Sequence, residues 1–141
     1  MCNAMNEQIQ IGYEPPEAEE YVNLRLKAGL SGKDIEASRR GLKNSLFAVT
    51  IRLDGELIGM GRVIGDGGCM FHVVDIAVSP EHQGQGLGKK IMSEVTAYLD
   101  RHATKGAYVS LMADVPADRL YRQFGFEYGA PASVGMYKKY D

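Results

Sequence analysis

"SPEHQGQGLGKK", Ser79 to Lys90, sets three glycines at alternate positions, Gly84, Gly86 and Gly88, just ahead of two lysines. The preceding "MFHVVDIAV" (Met70–Val78) is rich in β-branched and aromatic residues and reads as a strand. After the glycines, Leu87, Ile91, Val95 and Tyr98 recur at spacings of four, four and three. That periodicity predicts a helix from about Gly86 to Asp100 with one buried face. Glycine is a poor helix former, and cations in a first turn oppose the helix dipole by about a few tenths of a kcal/mol each. Both features make sense where an anion sits on the helix N-terminus. The first N–H groups lack intrahelical partners, and glycine lets backbone approach a ligand closely. The plainer alternative is a glycine-rich connection with Lys89 and Lys90 pointing into water.

The elements around this turn predict a sheet. "SLFAVTIRLDGELIGMGRVIGDGG" reads as two strands joined at Asp54-Gly55, a dipeptide suited to a type I′ hairpin. Asp66-Gly67-Gly68 turns the chain into the third strand of an antiparallel meander. Upstream lie a short strand around Ile9–Tyr13, a helix over Glu17–Ala28 opened by Pro15-Pro16, and a polar helix over Lys33–Leu42. Downstream, "AYVSLMADV" predicts a strand, "PADRLYRQF" a short helix and "MYKKY" a final strand. The fold class is α/β (α+β): a mixed, mostly antiparallel sheet flanked by helices, in a single domain over residues 5–141. Residues 1–4 read as a dispensable leader.

Composition narrows the function. With 45% hydrophobic and 24% charged residues the chain is of ordinary globular type. A net charge of −2 argues against a nucleic-acid platform. Two cysteines, Cys2 and Cys69, make no disulfide framework and no thiolate metal site, and the three histidines share no ligand spacing, so no metal is expected. No apolar run has the length of a membrane span and no signal peptide is evident, which predicts a soluble, cytoplasmic protein without a membrane partner. A homodimer is compatible with the sequence, which fixes no oligomeric state.

Spacing selects among anion ligands. Gly84-x-Gly86-x-Gly88 fails the G-x-G-x-x-G fingerprint of dinucleotide folds, and a Walker A loop would need one more residue and a hydroxyl at Lys90. Gln83-x-x-Gly86-x-Gly88 behind a strand resembles instead the Q/R-x-x-G-x-G/A signature of the GNAT acetyltransferase superfamily. "ADRLYRQFGFE" is similar to that superfamily's second signature, with Ala117, Leu120, Tyr121, Gly125 and Phe126 in register. The match runs from roughly Ser45 to the C-terminus. It departs at Asp114, where many members carry Asn.

The resemblance implies a GNAT-like fold and acetyl-CoA as cosubstrate. Gln83, Gly84, Gln85, Gly86, Leu87, Gly88 and Lys89 would form the pyrophosphate turn. Ile76 and Val78 would pair with the pantetheine arm as if with an added strand, and an N–H near Ala77 or Val78 would serve the thioester oxygen. Tyr121 would protonate the leaving thiolate; on packing alone it is a helix residue beside Leu120 and Phe124. Asp75 interrupts an apolar strand and has two readings, a catalytic base or a carboxylate that fixes the sheet through hydrogen bonds. By simple alternation His72 lies on the opposite face, with Val74 and Ile76, and is a second candidate base. Water is a third. The implied activity is direct N-acetylation of a primary amine, on a small molecule or a protein lysine. The alternative is a non-catalytic acyl-CoA-binding or sensing domain. No motif identifies the acceptor.

Overall fold

The computed structural model describes residues 8–140 of the chain. Cys2 and the proposed leader lie outside them. Five strands form one sheet in the order β1-β2-β3-β4-β5: β1 (Ile9–Gly12), β2 (Phe47–Leu53), β3 (Glu56–Gly65), β4 (Met70–Val78) and β5 (Tyr108–Leu111). The first four are antiparallel neighbours, and β5 joins β4 in parallel. The predicted hairpin is present, with Asp54 at φ 51° and Gly55 at φ 83°, as a primed turn requires. In the next turn the Asp66 carboxylate accepts the N–H groups of Gly68, Cys69 and Met70 at 2.8–3.0 Å.

Four helices cover the sheet: α1 (Ala18–Lys27), α2 (Ile35–Lys43), α3 (Leu87–His102) and α4 (Asp118–Arg122). Asp34 caps α2 by accepting from Ala37 N at 2.9 Å. On α1 the buried residues are Ala18, Tyr21, Leu24 and Arg25. Leu24 packs with Leu42, Leu57, Met60 and Ala77 on one face of the sheet. On the other, Ile91, Met92, Val95 and Leu99 of α3 pack against Val49, Ile51, Val63, Phe71 and Val73. No helix among the described residues is long and apolar enough to cross a membrane.

A β-bulge in β4 alters the expected alternation. Met60 faces Ala77 and Arg62 faces Val74, so Asp75 and Ile76 together oppose Gly61. Asp75 takes the left-handed φ of 61° that such a bulge demands. Phe71 and Val73 point toward α3, but beyond the bulge it is Ile76 and Val78 that pack on that side, while Ala77 joins the α1 side. The strict alternation that grouped His72 with Ile76 therefore fails. One extra residue exchanges the two faces.

The predicted C-terminal strand Met136–Tyr140 does not form. Gly129, Pro131 and Gly135 interrupt the run before it, and Met136, Tyr137 and Tyr140 stay exposed without a ladder partner. A strand of five residues gains little without a pairing edge and a buried face.

Candidate active site

The bulge turns β4 away from β5. The parallel ladder covers only Met70–Val73 against Tyr108–Leu111, so beyond Val73 the strands part. Backbone phase then decides which groups face the gap. Ser79 N donates to Ile58 O at 2.8 Å, and two residues earlier Ala77 stands opposite Met60 in the same phase. Alternation turns the N–H and C=O of Ala77 inward to β3, and those of Ile76 and Val78 outward. Of the two amides expected near the thioester oxygen, Val78 N–H faces the gap and Ala77 N–H does not. Gln83 Nε2 donates to Val78 O at 3.0 Å, tying the glycine turn to the end of the strand.

The turn is built to present its backbone. Gly84 and Gly86 have φ of 78° and 84°, a region side chains strain to enter, and Gly86 is the N-cap of α3. The first bond of the helix runs from Lys90 N to Gly86 O at 3.0 Å. Among the described residues, no acceptor meets the N–H groups of Gly84, Gln85, Gly86, Leu87, Gly88 or Lys89. Six amides at the positive end of a 16-residue helix form an anion-binding nest. The two lysines differ. Lys90 Nζ pairs with Glu94 at 3.0 Å, and Glu94 also accepts from the Tyr13 hydroxyl; Lys89 is exposed and makes no ion pair with a described residue.

Beside this turn lies a cleft of about 820 Å³. Its walls come from the end of α1 and the following loop (Arg25, Leu30, Lys33), from β3 and β4 (Arg62, His72, Asp75, Ile76), and from the segment after β5 (Asp114, Tyr121). Tyr121 is 9% exposed, and Phe126 meets its ring edge-on at 6.5 Å. Burial, with the nearby Asp114 charge, raises its hydroxyl above the ordinary tyrosine value. That hydroxyl has no hydrogen-bond partner among the described residues. His72 Nδ1 bonds Ser110 Oγ at 2.8 Å, which fixes its ring against β5.

Asp75 accepts three side-chain hydrogen bonds. Oδ1 accepts from Arg25 Nη1 at 2.5 Å; Oδ2 accepts from Arg62 Nε at 2.7 Å and the Tyr21 hydroxyl at 3.0 Å. Its side chain is only 4% exposed. Both oxygens thus face guanidiniums, the surroundings of a carboxylate that holds charged partners in place. Sequence reasoning missed the partners, Tyr21, Arg25 and Arg62. Arg62 was the available signal: a charge inside the apolar run "ELIGMGRVIG", on the strand paired with the one holding Asp75. The remaining histidines and Cys69 do not line the cleft. His82 Nδ1 meets Ser79 Oγ at 2.9 Å, His102 bonds Tyr98 O, and Cys69 is exposed in the β3–β4 turn.

Known proteins share this fold. The model of the acetyltransferase (GNAT) family matches residues 7–126. The "GCN5-related N-acetyltransferase 2, chloroplastic" of Arabidopsis thaliana is 37% identical over 132 residues, covering 79% of this chain and 50% of that protein. The "Histone acetyltransferase TAP1" of Glycine max is 30% identical over 113 residues, covering 80% of this chain and 48% of its own. The chain thus spans about half the length of these curated relatives. A Staphylococcus aureus crystal structure described as a "Probable Acetyltransferase" is 49% identical, with a TM-score of 0.91 over 94% of this chain and 99% of that one. A Streptococcus pneumoniae GNAT family protein is 26% identical, with a TM-score of 0.74 over 94% and 98%. A family model over most of the chain, and a fold shared nearly end to end, place it plainly: the protein belongs to the GNAT acetyltransferase family.

Proposed function

We propose that this protein is an N-acetyltransferase that moves the acetyl group of acetyl-CoA directly to a primary amine, both substrates being held at once by a single domain over residues 5–141. The observation that carries this is the opening between β4 and β5, which has unpaired turn amides at one end and the Tyr121 hydroxyl on its wall. The fit to acetyl-CoA rests on donors. The amides of Gly84 to Lys89 suit a pyrophosphate, with Lys89 beside them, and the outward groups of Ile76 and Val78 suit the amides of the pantetheine arm. Acetyl-CoA supplies an activated thioester. Val78 N–H is the donor nearest in role to an oxyanion partner, and Tyr121 Oη gives its proton to the departing sulfur.

Asp75, in this proposal, is a positioning residue: it holds the bulge, and with it the parted strands. The attacking amine loses its proton to water in the open cleft. The test is acetyl-CoA-dependent thiol release against a panel of amines, with acetylated product confirmed by mass. Acetyl-CoA binding without transfer to any amine would favour the sensing domain instead. Failure to bind acetyl-CoA would end both readings.

A further inference from the structure

We infer that the acceptor carries an anionic group, a carboxylate or a phosphate, and that Arg62 with Lys33 receives it. This rests on the acetyl-transfer reading and names the substrate class of the same cleft. The starting point is charge. Two guanidiniums, each with its side chain 10% exposed, share the single carboxylate of Asp75, itself 4% exposed. Among the described residues, one positive charge is left without a counter-charge at the floor of the cleft, where water screens poorly and an unpaired charge is costly. Lys33 adds another at the rim. Asp114 is the only other acid on the lining; it is exposed, and lies on the Tyr121 side, where its field reaches that hydroxyl.

The hydrogen bonds show which group is available. Arg25 uses all three nitrogens, Nε and Nη2 on Ser31 O and Oγ, and Nη1 on Asp75. Arg62 donates Nε to Asp75, and Nη1 to Ser45 Oγ at 2.8 Å and Gly41 O at 3.3 Å. Its Nη2 has no partner among the described residues, although the residue is more than nine-tenths buried. Among the described residues, the one fully buried side-chain polar atom without a partner is Thr96 Oγ1, so Arg62 Nη2 opens onto accessible space, and the space Arg62 lines is the cleft. Two N–H donors on a guanidinium already fixed by β4, α2 and the segment after it can bind an oxyanion with little ordering cost. Such a bond is charge-assisted and short-ranged.

The test compares matched amines at saturating acetyl-CoA: 4-aminobutyrate against butylamine, and O-phosphoethanolamine against ethanolamine. The anionic member should have about 10-fold or higher kcat/KM, the effect of one charge-assisted hydrogen bond. The preference should fall with added salt, and fall again in Arg62→Lys and in Lys33→Gln. The first pair reads a carboxylate, the second a phosphate. Lys33 is exposed, so its variant folds whatever the cost of changing Arg62. Equal or better use of the neutral amines by the unmodified protein overturns the inference and leaves acetyl transfer standing. If no amine is acetylated, binding of butyrate or methyl phosphate, followed by NMR titration, is the independent measure. Binding that weakens in Lys33→Gln supports the anion site while acetyl transfer falls, and binding of neither anion overturns the site.

Discussion

Tyr121 Oη is a proton donor only while it keeps its proton. The raised pKa means the neutral form persists through and beyond the ordinary tyrosine range, so loss of activity from its ionisation belongs to strongly alkaline pH. Tyr121→Phe should lower kcat by ~100- to 10,000-fold, with acetyl-CoA affinity by calorimetry and melting temperature both near wild type. A lowered melting temperature with unchanged kcat would make the ring a packing residue. Asp75→Asn tests the neighbouring site. Asn tolerates a left-handed φ, so the change isolates the charge. It leaves two buried guanidiniums without their anion and should cost about 3–5 kcal/mol, read from the urea midpoint. A base role would instead show as a large kcat loss at unchanged stability. At this scale the sequence revealed Tyr121 through its motif, and Asp75 through its oddness in an apolar strand. Tyr21, Arg25 and Arg62 stayed hidden because their meeting depends on tertiary contact across 13 to 54 residues.

At the scale of elements, the start of α3 separates its two lysines. Lys89→Gln should weaken acetyl-CoA binding and flatten its salt dependence, since an exposed cation beside a phosphate acts through a screened field. Lys90→Gln should alter neither, because Glu94 already holds that ammonium. Calorimetric titrations at two salt concentrations distinguish them. Against the sheet, α3 crosses β3 at a glycine: a Cβ on Gly61 would lie 2.6 Å from Ile91 Cγ2 and 2.8 Å from Ile76 Cδ1. Gly61→Ala should therefore cost about 1–3 kcal/mol by overpacking, measured by denaturant unfolding. The hairpin, the helices and the three-stranded meander were legible because turn dipeptides and periodicity are local. The bulge was not, since one added residue leaves no mark on a pattern of period two. The strand expected at Met136–Tyr140 failed for the converse reason: local propensity cannot supply a partner edge.

Across the whole molecule, the sheet separates two cores, one under α1 and α2 and one under α3 and α4. Leu24→Ala on the first should cost about 2–5 kcal/mol and Ile91→Val on the second about 0.5–1.5 kcal/mol. The double variant should equal their sum within about 0.5 kcal/mol, as read from unfolding midpoints. A larger coupling would mean that the sheet transmits strain between its faces. The mixed sheet with flanking helices was legible from turn signals and periodicity, and its particular architecture from the resemblance carried by the glycine turn and "ADRLYRQFGFE". The separation also bears on how such a protein diversifies. Arg25, Leu30 and Lys33 enter the cleft from α1 and its loop, whereas the glycine turn belongs to the start of α3. Under the proposed acetyl transfer, substitutions that redirect the protein to a new amine can accumulate on the α1 side while the glycine turn is inherited unchanged.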